Sequence, residues 1–164
     1  MLEFSPVFSP REMIEKGIFG GSYFNDGLLL EGDGYPFYEE LFTGLDPDLL
    51  IREKYKPSVN RFKIRSGMDY AYWMQMNWIT EEDPHGWFEW YCKFYLGRRG
   101  SDDTRQINRW QDFCGPRGRW RNNIYKKIHI TGDWNTAPRV QQSLLHWSYE
   151  VNKADYELWQ TLYT

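Results

Sequence analysis

Only two cysteines and three histidines occur among the 164 residues. Two cysteines cannot build a disulfide framework, so the expectation is a reduced, intracellular protein of the cytoplasm. His85, His129 and His146 have no metal-type spacing to one another or to a cysteine, so no metal site is expected, and nothing implies a cofactor. No apolar run reaches the length of a membrane-spanning helix, and no charged-then-apolar leader opens the chain. Neither a membrane partner nor a signal peptide is therefore expected. The P-loop, the dinucleotide glycine fingerprint and the nucleophile elbow are all missing, which removes the commonest nucleotide-using enzymes.

Aromatic residues, by contrast, are abundant. Nine Trp, twelve Tyr and ten Phe make 19% of the chain, beside 26% charged residues and a mean hydropathy of −0.75. Such a balance predicts an aromatic core under a strongly polar surface, in one domain spanning residues 1–164. The net charge of −3 conceals an asymmetry. Residues 1–92 hold 8 Lys+Arg against 16 Asp+Glu, whereas residues 93–139 hold 11 against 4, a net of +7. A basic block inside an acidic protein marks either a phosphate-binding surface or helix faces counter-charged by the acidic half.

The segment 1–66 reads as irregular and aromatic-rich. Ser9-Pro10-Arg11-Glu12 starts its one clear helix, with Ser as N-cap, Pro at the first helical position and Glu12 three residues after the cap. Short helices are possible in 37–55, and Leu28–Gly34 reads as loop or short edge strand. Met68–Trp78 reads as a mostly buried helix. Beyond it, Asp83-Pro84 predicts a helix to about Leu96, with Glu89 and Lys93 as its wet stripe and Gly97 as its end. Ser101-Asp102-Asp103 opens the next helix, and Gly115-Pro116 ends it. A third follows Gly118, with Trp120, Ile124 and Ile128 inward. A fourth starts at Thr136-Ala137-Pro138, and a last short one covers Ala154–Tyr163. The fold class is mainly α: consecutive helices joined by short loops, with the helical core in 67–164.

Four groups could carry chemistry. Arg98 and Arg99 sit in the loop between two helices, with Arg105 and Arg109 four apart on the second; guanidinium forks suit carboxylate or phosphate. Internal pairs Asp102–Arg105 and Asp112–Arg109 are the structural alternative. Gly115-Pro116-Arg117-Gly118-Arg119-Trp120-Arg121 has the helix–GxxG–helix form that resembles the backbone clamp of KH modules, although a tight helical turn would give the same pattern. The acid–base candidates are His85, Glu89 and Asp103. Glu81-Glu82-Asp83 and Glu31-x-Asp33 have no spacing that fixes a pair across a substrate. Cys92 and Cys114 read as buried, inert thiols, and His146 as a core or boundary histidine. Among the tryptophans, Trp120 and Trp134 are the candidates for stacking on a base, and Trp134, in a loop, is the first choice for an exposed ring.

The string Asp83-Pro84-His85-Gly86-Trp87-Phe88-Glu89-Trp90-Tyr91-Cys92-Lys93-Phe94-Tyr95-Leu96-Gly97-Arg98-Arg99, followed by Arg105-Gln106-Ile107-x-Arg109-Trp110, resembles the pattern of an uncharacterised family of small Trp/Arg-rich proteins. That family occurs in bacteria, fungi, algae and large DNA viruses. The likeness spans residues 83–147. It implies that Arg98, Arg99, Arg105 and Arg109 act as a unit and implies no particular reaction.

The leading expectation is an anionic ligand, nucleic acid or a nucleotide, bound on an Arg/Trp surface of 93–139. Phosphates would meet Arg98, Arg99, Arg117, Arg119 and Arg121, and a base would stack on Trp134 or Trp120. One alternative is a small enzyme acting on a nucleobase or phosphorylated metabolite in an Arg-lined pocket. The other is a structural or partner-binding protein.

Overall fold

A computed structural model describes residues 3–25, 34–67 and 70–164. The expected Ser9 start is present. Ser9 Oγ accepts from Glu12 N at 3.2 Å and Glu12 Oε1 accepts from Ser9 N at 3.0 Å, a reciprocal capping box that opens α1 (Pro10–Glu15). A short α2 (Tyr38–Phe42) and single 3-10 turns at Pro47–Leu49 and Pro57–Val59 complete the N-terminal wrap. Then come α3 (Tyr70–Gln75), α4 (Trp87–Tyr95), α5 (Asp103–Cys114), α6 (Arg119–Thr131), α7 (Pro138–His146) and α8 (Lys153–Tyr163). Among the described residues there is no strand, so the mainly α class is what the chain adopts, as one compact unit. The segment Leu28–Gly34, expected as loop or short edge strand, lies outside the described residues except for Gly34.

The core is aromatic, and α4 is its axle. Trp87, Phe88, Trp90, Tyr91 and Cys92 are all buried. Phe4 reaches in from the N-terminus and puts its ring within 5.3–6.3 Å of Trp87, Trp90, Tyr91, Phe94 and Trp110. Edge-on pairs of this kind add about 0.5–1.5 kcal/mol each beyond the area they bury. The N-terminal strap is also tied by polar bonds. Ser148 Oγ accepts from Phe8 N at 2.7 Å and donates to Phe8 O at 2.9 Å, while Ser148 O accepts from Val7 N. Residues 140 positions apart are thereby fixed beside each other. On the other side α5 packs on α6, and α6 on both α7 and α8.

Three local expectations change. The Met68–Trp78 helix is shorter than expected, and Met74 and Met76 on its described part are exposed. The helix expected from Asp83 starts only at Trp87, because Gly86 at φ +86° breaks the chain direction and Asp83 turns inward, away from any cap position. Gly115 is extended (φ −65°, ψ 176°), not in the left-handed conformation with which a glycine commonly closes a helix. The turn still requires glycine, for a steric reason. A Cβ at Gly115 would lie 2.8 Å from Gln111 O, and one at Gly118 would lie 2.7 Å from Cys114 N and Phe113 O. The GPRG segment is therefore a tight connector pressed against the end of α5, and no strands flank it among the described residues.

Candidate anion-binding site

The basic block separates into arginines that are paired and cations that are not. Arg98 donates from Nη1 and Nη2 to the two Asp83 oxygens at 3.0 and 2.6 Å. Arg105 makes the local pair with Asp102, at 2.5 Å, that spacing allowed. Arg121 is buried beneath α8 and meets Asp155 at 3.3 Å with the Tyr149 ring alongside. Arg99 meets no carboxylate among the described residues. It donates to the carbonyls of Phe94 and Arg98 and lies over the Phe94 ring at 3.6 Å. Arg98 and Arg99 are thus not both held by acids, as expected, but only Arg99 is without one.

Asp83 belongs to a buried charge cluster that reverses the expected wet stripe of α4. Glu89 and Lys93 are 3% and 2% exposed, so this face of the helix looks inward. Lys93 Nζ lies 3.2 Å from Asp83 and 3.8 Å from Glu89, and donates to Glu82 O at 2.7 Å. His85 Nδ1 sits 3.1 Å from Glu89, with the Phe24 ring edge-on to the imidazole. Among the described residues Asp83 and Glu89 face Lys93 and Arg98 here, and such pairing is the condition for burying them at all. Two of the acid–base candidates, His85 and Glu89, are therefore in contact. The third, Asp103, is elsewhere, accepting from Trp90 Nε1 and from Gly100 N. An imidazole held by a carboxylate could move a proton, but this one is buried with Phe24 and Tyr23 against it, and in the fold it holds Glu89. Burial, and after it the Glu89 carboxylate, pushes the Cys92 thiol up, and burial does the same to Cys114, so both thiols are inert as expected. Glu31 and Asp33 lie outside the described residues.

Beyond Arg99, four further unpaired cations lie on α6 and in the turn before it. Among the described residues Arg117, Arg119, Lys126 and Lys127 are exposed and form no ion pair. Arg119, Asn122, Asn123 and Lys126 follow helical spacing along one stripe, because Ile124, Tyr125 and Ile128 hold the opposite face in the core. Between this stripe and the end of α8 runs an open cleft of about 690 Å³, with His129 and the Trp159 ring in its walls. The rings of Tyr156, Trp159 and Tyr163 are stacked along α8, with successive centroids 6.1 and 5.8 Å apart. Asn122 Oδ1 and Asn123 Oδ1 are buried and have no hydrogen-bond partner among the described residues. Position decides the stacking candidates. Trp134 is 38% exposed with its edge to Tyr156, as expected for a loop ring, whereas Trp120 is half-buried against Phe113.

The sequence reading missed Trp159, Tyr163 and Lys126 as members of this cleft. Their spacing on α8 and α6 is ordinary amphipathic spacing, and only the α6–α8 packing puts them on one wall. Comparison of the chain with protein-family models, curated proteins and solved structures finds no match.

Proposed function

We propose that this protein binds a phosphate-bearing polymer, single-stranded nucleic acid, along the outer face of α6 and its cleft with α8. One observation carries the reading: Arg119 and Lys126, exposed cations without acidic partners among the described residues, line a cleft whose other wall holds Trp159 and Tyr163, and Arg117 and Lys127 add exposed charge close to them in sequence. Unpaired cations attract phosphate by displacing its counterions, and ring faces receive bases without regard to sequence. Arg98, Arg105 and Arg121 take no part in this reading, because their guanidinium groups hold Asp83, Asp102 and Asp155. A cytoplasmic setting goes with it. Among the described residues no helix is long and apolar enough to cross a membrane.

Chemical-shift mapping with a short oligonucleotide tests the location. Perturbed amides should cluster on residues 117–130 and on the last two turns of α8. A shift pattern centred on α4 or on the N-terminal wrap would reject the reading.

A further inference from the structure

Arg109 stands apart from the other arginines of the block. It is partly buried on α5, and its charge centre lies over two indole rings, Trp78 at 5.1 Å and Trp147 at 5.2 Å. The pair with Asp112 allowed by sequence spacing does not form, and among the described residues no carboxylate lies within ion-pair distance. One N–H, from Nη1, is donated to Gln106 Oε1 at 2.9 Å. A guanidinium has five such donors, so four have no acceptor among the described residues.

Gln106 has the complementary deficit. It is fully buried, and its Nε2 has no hydrogen-bond partner. Flipping the carboxamide would not relieve this, since it would turn Nε2 towards the guanidinium and lose the bond that Oε1 makes. An unsatisfied donor and an unneutralised cation therefore sit side by side, joined through one amide. Two flanking indoles stabilise the charge but accept none of the in-plane N–H bonds. Burial, with Arg105 adding repulsion, lowers the Arg109 pKa to about 10, a sign of a cation short of compensation.

We propose that Arg109 is the anchor of a small-oxyanion site, taking a carboxylate or phosphate group in the fork of its guanidinium, with Gln106 as the positioning residue and Trp78 and Trp147 as walls. This site lies on α5 and its surroundings and does not depend on the α6–α8 cleft. The shared chemistry of the ligand is a planar or tetrahedral oxyanion with at least two acceptor oxygens.

The test is tryptophan fluorescence titrated with inorganic phosphate and, separately, with acetate, at constant ionic strength held by chloride. Two of the reporting indoles flank the site, so a saturable change is expected with at least one anion, and the anion that binds tighter names the class. Arg109→Gln should weaken that binding by more than about tenfold, whereas Arg139→Gln, at an exposed arginine outside both sites, should leave it unchanged. Arg109→Lys keeps the charge, loses the fork, and should bind about tenfold more weakly than the wild type; it also serves if the glutamine variant does not fold. The proposal is overturned if neither anion gives a saturable change, or if Arg109→Lys binds as tightly as the wild type. It is equally overturned if Arg119→Gln abolishes the signal and Arg109→Gln does not, which would assign the anion to the α6–α8 cleft.

Discussion

Arg98 grips Asp83 with both terminal nitrogens, and the carboxylate it grips is almost wholly buried. The same Asp83 also receives Lys93, so one acid of the loop before α4 holds two cations that follow it in sequence. Acidic and basic halves of the chain are joined at this point in the interior, and exposed cations without an acidic partner among the described residues remain on α6 and in the turn before it.

Removing the acid should be severe. Asp83→Ala takes from Lys93 and Arg98 the carboxylate they share in a buried setting, and a loss of about 3–5 kcal/mol is expected. Arg105→Ala breaks a pair that is more than a quarter exposed on each side and should cost under about 1 kcal/mol. Urea unfolding of the two variants measures the contrast. Equal midpoints would show that the cluster does not hold the fold together.

Both glycines of the GPRG turn should matter for stability. Gly115→Ala and Gly118→Ala each push a methyl to within 2.8 Å of main-chain atoms of α5, which must shift to admit it. A loss of about 1–3 kcal/mol is expected for each, or roughly 2–4 °C in melting temperature per kcal/mol for a chain of this size. A Gly118→Ala protein that melts with the wild type would contradict the close packing of the turn on α5.

Much of this was legible before the structure, and the exceptions share a cause. The capping box at Ser9, the stop at Gly97 and the inward face of α6 are local, and they read correctly from spacing alone. Glu89 and Lys93 were rightly placed on one stripe of α4, but the stripe is buried. Periodicity reports which side chains share a face and not what covers it. The cover here comes from Asp83 and from Phe37, whose ring lies 5.5 Å from Lys93 Nζ, and neither belongs to that helix. Arg109 shows the same limit: Gln106 is three residues away and readable, whereas Trp78 and Trp147 reach it only through the tertiary fold.

His146 predicts a pH dependence. Burial, partly offset by its bond to Ile18 O, holds its pKa at about 4, well below the ordinary histidine value. A depressed folded pKa means that the unfolded chain binds the extra proton first as pH falls. Stability is therefore complete above the ordinary histidine value, near 6.5, and declines as pH falls towards about 4. Between pH 7 and pH 4.5 the contribution of this one group should fall by about 2 kcal/mol. Comparing wild type with His146→Gln by urea unfolding at both pH values isolates it. The variant should lose less stability than the wild type over that interval, and an identical loss would show that His146 is not the group responsible.

The most direct measurement of the central claim is an anisotropy titration with a labelled single-stranded oligonucleotide at two salt concentrations. With about four cations engaged, affinity should fall on the order of 50-fold between about 50 and 200 mM salt. Replacing Arg119 and Lys126 together by Gln should cut the logarithmic salt slope by about half while leaving the melting temperature unchanged. Absence of binding at the lower salt concentration, or a double variant with the affinity and salt slope of the wild type, would contradict a nucleic-acid surface on α6.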